Sequence, residues 1–243
     1  MASNTFQYDP TGHSRQLYHS RHRLMNWVHA AHIVGAIRAS RSESHHWILD
    51  AGCSDGELLV RLAGSYAFAV GLDHNFQALP TLQQRLDGAH AAQAMQGDLG
   101  CLPFRDRSFD RVFCLETLEH VPDMPGAVRE LQRVLKEEGT LIITIPLELG
   151  FSVLLKQSVA RLFFGAYRGS YTWREIWNAF RGRLDQVERV SLSSHKGFDF
   201  RKVVEEIRLY FDAVRLSGLP FRWLGTVLNT QVLIEARRHP KTG

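Results

Sequence analysis

Cysteine is scarce: Cys53, Cys101 and Cys114 are the three in 243 residues, an odd number with no metal-ligand spacing. Neither a disulfide framework nor a zinc site is suggested, no metal is expected, and a reducing compartment fits. Every long apolar run is broken by a charge or a proline well before spanning length, and "MASNTFQYDPTG" lacks the basic-then-apolar pattern of a leader. The expectation is a cytoplasmic chain without an anchor. Internal repeats and low-complexity tracts are missing, which favours one domain over two. A block of one charge sign is missing too. Lys plus Arg number 29 against 25 for Asp plus Glu, and the net charge of +4 is spread along the chain, so an anionic partner is tolerated but not required.

What is present is an alternation. "RQLYHSRHRLMNWVHAAHIVGAIRAS" carries Leu17, Leu24, Trp27, Val28, Ala31 and Val34 at helical spacing, a helical cover ahead of the first strand. From Trp47 the pattern gives a strand over 47–51, a helix over 56–63, strand "YAFAVGLD", a helix over 75–87 and a short strand over 92–96. Strand "FDRVFCLE", helix "MPGAVRELQRVL" and strand "TLIITIP" follow. Apolar strands alternating with helices predict an α/β fold, a doubly wound, mostly parallel sheet covered on both faces. Between 147 and 195 the alternation stops, which predicts an inserted cap. A helix over 199–208 and strands over 210–216 and 227–237 complete the chain. The reading is one domain: 1–45 helical cover, 46–146 core, 147–195 cap, 196–243 final helix and strands.

The turn "AGCSDG" after the first strand sits where an open α/β sheet receives ligands, at strand carboxyl ends facing helix N-termini. A phosphate-cradling P-loop needs Gly-Lys-Ser/Thr, and no lysine occurs here, which excludes the nucleoside triphosphate reading. A dinucleotide fingerprint needs a third glycine at a Gly-x-x-Gly step, whereas Gly52, Ser54 and Gly56 are alternate residues after the acid Asp50. A nicotinamide-dependent oxidoreductase stays open on the turn and Asp73, but it leaves "GDLGCLPF" unexplained.

"ILDAGCSDG", "VGLDHN", "GDLGCLPFRDRSFDRVFCLETLEHV" and "LKEEGTLIITIP", in this order over residues 46–146, resemble the class I S-adenosylmethionine-dependent methyltransferases, most closely the methyltransferase type 11 branch. The resemblance implies a Rossmann-like seven-stranded sheet whose last strand is antiparallel, with S-adenosyl-L-methionine as cofactor. It places Asp50 toward the cofactor's amino-acid end, with the backbone from Gly52 through Ser54 to Gly56 passing beneath. It places Asp73, beside His74, on the ribose hydroxyls, since a carboxylate accepts two hydrogen bonds at once. Asp98 and the backbone of Leu99 would read the adenine edge, and Glu116 would lie beside the methionine portion. Ser54 departs from the family's common glycine; its Cβ narrows the approach, while its hydroxyl offers a donor to the cofactor's carboxylate.

In-line attack on a sulfonium methyl asks the protein for alignment and, with a hydroxyl acceptor, for a base. His120, after the fourth strand, and His195, where the insert rejoins the core, are the candidates, because imidazole titrates in the useful range. Each is also readable as a loop hydrogen-bonder, and Glu119 as a structural acid near the following helix. "ETLEHVPD" stands where amide-nitrogen methylators carry an Asn/Asp-Pro-Pro-aromatic segment, so a small-molecule oxygen is favoured. Only the scattered "RLFFGAYRGSYTWREIW" hints at nucleic acid, and an RNA substrate is disfavoured. Phe151, Leu154, Leu155, Val159, Leu162 and Phe163, with Tyr167, Tyr171, Trp173 and Trp177, suit a lid over a hydrophobic or ring-containing acceptor, or core packing. With Lys156 and Arg161 opposite, transient membrane contact ranks behind these. A non-catalytic binding or assembly protein is the alternative to the enzyme.

Overall fold

A computed structural model of the protein describes residues 23–86, 91–154, 156–157, 171–189, 191–192, 194–226 and 228–237. The expectations on Leu17, Leu155, Val159, Arg161, Leu162, Phe163 and Tyr167 lie outside these residues. Helix α1 (Arg23–Ser40) precedes β1 (Trp47–Ala51), α2 (Glu57–Arg61), β2 (Phe68–Asp73), α3 (Leu79–Leu86), β3 (Ala92–Gln96) and β4 (Phe109–Leu115). After a 3-10 turn over Leu118–His120 come α4 (Met124–Val134), β5 (Leu135–Pro146), α5 (Trp173–Phe180), α6 (Phe200–Arg208), β6 (Ala213–Leu219) and β7 (Gln231–Arg237).

The seven strands line up as β3-β2-β1-β4-β5-β7-β6. β1 pairs in parallel with both β2 and β4, so the order reverses beside β1 and opens a crevice at its carboxyl end. β7 is antiparallel to both neighbours, β5 and β6, as expected for the last strand. The central strands lack period-2 alternation because both of their faces are covered. On one face, Ile33, Ala36 and Ala39 of α1 pack with Ile48, Phe113, Ile142 and Leu233. On the other, Val128 and Leu131 of α4 and Val203 and Ile207 of α6 meet Leu49, Val112, Leu141 and Ile234. A separate small cluster of Val153, Tyr171, Ile176, Ala179, Leu184 and Val187 organises the insert.

Several boundaries move. The helix expected from 75 begins at Leu79, because Asn75 is held in a turn: its N–H donates to Asp73 Oδ1 and its Oδ1 accepts from Gln77 N. The strand expected over 210–216 lies at Ala213–Leu219, since Leu209, Tyr210 and Phe211 continue the hydrogen bonding of α6 and bury Phe211. The strand expected from 227 begins at Gln231, because buried Asn229 folds the preceding loop by bonding Phe221 N, Phe221 O and Gly225 O. β5 begins at Leu135 rather than Thr140, pairing Leu135 with Phe109 before a register shift. Among the described residues no helix is long and apolar enough to cross a membrane.

Candidate functional site

The turn after β1 is folded onto the end of β2. Gly52 N and Cys53 N both donate to Leu72 O at 2.7 and 3.1 Å, and Ser54 N donates to Asp73 Oδ2 at 2.8 Å. Three alternate residues adopt left-handed backbone: Gly52 at φ 85°, Ser54 at 48° and Gly56 at 77°. A Cβ on Gly52 would come 2.4 Å from Thr117 Oγ1, and one on Gly56 would come 2.0 Å from Leu82 Cδ1. Both glycines are therefore required by approach as well as by φ. Ser54 bears the left-handed conformation itself, at a cost the Asp73 hydrogen bond offsets. Asp55 and Glu57 are tied to Arg85, with Asp55 Oδ2 accepting from Nη1 at 2.8 Å, an anchor between turn and α3 that sequence spacing did not signal.

Asp50, Asp73 and Asp98 end β1, end β2 and follow β3. Asp50 is buried, and that burial, with the charges of Asp73 and Asp55, raises its carboxyl to about 8. A cation set against it would meet a group ready to ionise. Asp73 is half-buried and uses one oxygen on Ser54 N and the other on Asn75 N, keeping further lone pairs for ligand hydroxyls. His74 is exposed, and its carbonyl accepts from Gln96 Nε2 at 3.3 Å. Asp98 Oδ1 accepts from Gly100 N at 2.8 Å, shaping the loop on which Leu99 turns its side chain into the core. Arg133 holds the next stretch of that loop, donating to Leu102 O and Phe104 O at 2.9 and 2.8 Å. These features fit an adenosyl cofactor: a close-approach turn, a half-buried strand-end carboxylate with lone pairs to spare and an ordered loop after β3.

Glu116, just past β4, has left-handed backbone at φ 50° and turns its carboxyl beside Thr144 and Gln231, at the ends of β5 and β7. Glu116 Oε1, Thr144 Oγ1 and Gln231 Oε1 are buried, and the Thr144 and Gln231 side chains face the Glu116 carboxyl in loose contact, each pulling its pKa down against burial. Burial raises the Glu116 carboxyl to about 7, against the opposing pull of Lys156. The insert reaches the same place: Glu148 accepts from Lys156 Nζ at 2.9 Å and from Tyr171 Oη at 2.8 Å.

His120 and His195 are brought together, with ring centroids 5.3 Å apart. Between them stands Glu119, fully buried, with neither carboxyl oxygen hydrogen-bonded. Glu119, expected as a structural acid near the following helix, lies in the turn just before α4, whose cap is Asp123, accepting from Gly126 N at 2.9 Å. Glu119 also lies beneath the two histidines, a grouping invisible to spacing because His195 arrives from the far side of the insert. Cavities of about 330 Å³, against Leu147, Phe151 and Phe180, and about 400 Å³, against Leu118, Arg189 and Phe198, flank the insert rather than the cofactor turn.

Residues 49–143, which contain the turn and every strand-end acid above, match the methyltransferase domain family model. A 2-phytyl-1,4-naphtoquinone methyltransferase of Nostoc punctiforme is 33% identical over 42% of this chain and 46% of its own length. A ubiquinone biosynthesis O-methyltransferase of Alkalilimnicola ehrlichii is 26% identical over 84% of this chain and 81% of its own. The chain spans about half the length of the naphthoquinone and menaquinone methyltransferases it matches. A solved S-adenosylmethionine-dependent methyltransferase from Aquifex aeolicus shares the fold with a TM-score of 0.57 at 14% identity, over 95% of this chain and 98% of that one. Residues 49–143 thus form a methyltransferase domain of the type 11 kind, on a fold shared with S-adenosylmethionine-dependent methyltransferases, and the cofactor of such a domain is S-adenosyl-L-methionine.

Proposed function

We propose that the protein transfers a methyl group from S-adenosyl-L-methionine to a hydroxyl oxygen of a small, apolar, ring-containing acceptor. The observation that carries this reading is the buried Glu116 carboxyl, which follows β4 directly and is gathered with Thr144 and Gln231 near Lys156 and Glu148 of the insert. Asp50 and the backbone from Gly52 through Ser54 to Gly56 hold the amino-acid end. Asp73, with His74 beside it, holds the ribose, and Asp98 with Leu99 the adenine. Glu116, first expected on the methionine portion, is placed here on the acceptor side, because its carboxyl turns toward β5 and β7. The cofactor supplies an electrophilic methyl on sulfur. The chain's part is to aim the acceptor oxygen, exclude water and take one proton.

Two places suit that proton. Glu116 titrates near neutrality, where a general base works best. His120 stands next along the same loop, and His195 meets it from the far end of the insert, with ring centroids 5.3 Å apart. Residues 147–195 act as a cap in one domain with the core, and the apolar cavity against Leu147, Phe151 and Phe180 receives the acceptor's ring. The quinone-pathway names of the relatives agree with such an acceptor. Trp173 and Trp177 share a face of α5 at 75% and 55% exposure, which favours a second reading in which the cap rests on a membrane to collect it.

The test is production of S-adenosylhomocysteine from S-adenosylmethionine with ring-hydroxylated acceptors, beside matched amines and thiols, read by mass spectrometry. Methylation confined to the hydroxylated compounds is the expected result. Methylation of amines alone would sink the oxygen assignment, and cofactor binding without turnover on any class would favour the binding-protein alternative. Vesicle sedimentation, with Trp173→Ala and Trp177→Ala as controls, separates cap from membrane contact.

A further inference from the structure

The Glu119, His120 and His195 cluster poses a problem of charge and protons. His120 Nδ1 lies 2.5 Å from Leu192 O. A carbonyl only accepts, so Nδ1 carries the hydrogen, and in the neutral ring Nε2 is then a bare lone pair. That lone pair faces Glu119 Oε1 at 3.9 Å, and His195 Nε2 faces the same oxygen at 3.8 Å. These separations are too long for hydrogen bonds. Potential ligand atoms from three side chains thus converge, one from each lying within 4.8 Å of the other two. Glu119 is fully buried and has no hydrogen-bond partner for either oxygen.

We propose that Glu119, His120 and His195 bind a divalent first-row cation such as Zn(II). Ligand atoms about 2.0–2.2 Å from one tetrahedral ion stand roughly 3.4 Å from each other, so the two Glu119–imidazole pairs would close by about half an ångström, and the two half-exposed imidazoles, whose ligand atoms lie within 4.8 Å, would turn toward each other. Two imidazoles and one carboxylate suit borderline ions and leave coordination positions open, whereas Mg(II) and Ca(II) seek all-oxygen sets. The Leu192 carbonyl supplies the outer contact that fixes a metal-binding imidazole in its tautomer and orientation. The cysteine-free composition of the site explains why cysteine counting gave no hint of it.

The site's use in catalysis rests on the proposed methyl transfer; its ability to bind a cation does not. A hydroxyl bound to a divalent cation loses its proton at lower pH. The imidazoles would then be ligands rather than bases, leaving Glu116 or water to carry off the proton as the oxygen attacks the methyl and S-adenosylhomocysteine departs.

The full chain, freed of metal by chelation, is titrated with Zn(II), with Co(II) for its visible absorption, and with Mg(II) as the oxygen-seeking control. Expected are about one equivalent of Zn(II), a cobalt spectrum of nitrogen and oxygen ligation, and binding weakened at least about tenfold by His120→Ala or His195→Ala. These histidines are half-exposed, so their variants should fold even if Glu119→Gln does not. Stabilisation by S-adenosylhomocysteine, measured in parallel, should persist in His195→Ala. No saturable Zn(II) binding, or binding unchanged in both histidine variants, overturns the site. Site-dependent Zn(II) binding in a protein that methylates nothing instead overturns the proposed function and leaves the metal site standing.

Discussion

Replacing Asp73 by asparagine removes one charge and one oxygen while preserving size. In the native turn Oδ2 accepts from Ser54 N and Oδ1 from Asn75 N, both at 2.8 Å. The asparagine amide must place its NH₂ against one of these N–H groups, losing a charge-assisted hydrogen bond and opposing two donors, a cost of about 1.5–3 kcal/mol. For a chain of this length that lowers the melting midpoint by roughly 3–12 °C. Ribose recognition suffers separately. One hydroxyl meets a neutral acceptor and the other a donor, so cofactor affinity should fall by about 2–3 kcal/mol, roughly 30- to 150-fold. Isothermal titration with S-adenosylhomocysteine measures the second effect and calorimetric melting the first. A 2′-deoxy analogue closes the cycle: the native protein should lose affinity for it, and the variant should lose much less. Equal losses in both proteins, or a variant within threefold of native affinity, would refute the ribose assignment.

Gly56→Ala forces a Cβ to 2.0 Å from Leu82 at a left-handed φ, and cofactor-induced stabilisation should disappear in melting curves while far-ultraviolet circular dichroism stays near native. Asp50 is protonated in the free protein below about 8, and binding the cofactor's ammonium favours its ionised form; S-adenosylhomocysteine affinity should therefore rise with pH from 6 to 8, and Asp50→Asn should flatten that slope in titration calorimetry. The same raised carboxyl makes the free protein lose stability as pH climbs from the ordinary carboxylate range through about 8, a loss that should shrink in Asp50→Asn when melting is followed against pH. Glu116→Gln should lower kcat by roughly 10²- to 10⁴-fold with little change in cofactor affinity, and should abolish the rise of rate through pH 7 that the native carboxyl imposes as it ionises.

The part of the site that was legible in the sequence is the part made by local rules. An acid at the end of each short apolar run, and a glycine-spaced turn after the first, locate Asp50, Gly52, Gly56, Asp73 and Asp98 because parallel strands deliver their carboxyl ends to one edge. Ser54 could be flagged as a departure, but not its left-handed backbone held through Asp73, which is a contact between two strands' ends. Boundaries failed where a side chain overrode the pattern. Asn229 bonds three backbone groups of its own loop, and no propensity for residues 227–230 expresses that.

The acceptor side was illegible for a different reason: its members meet only through the return of the insert and of β7. Thr144 and Gln231 read as ordinary strand residues until antiparallel pairing sets the end of β7 against β5 beside Glu116. Glu119 reads as a helix-proximal acid until His195 comes back over it. Both acids sit within one short loop after β4, and each carboxyl is raised first by burial, Glu119 further by the charge of Glu116. Two carboxylates buried so near each other cannot both ionise cheaply without a cation or a proton between them and their surroundings. The loop therefore joins the two proposals physically: a cation among Glu119, His120 and His195 would offset the charge that Glu116 develops on the acceptor side. It would thereby hold Glu116 ionised and able to receive the acceptor's proton at a lower pH than the metal-free protein allows.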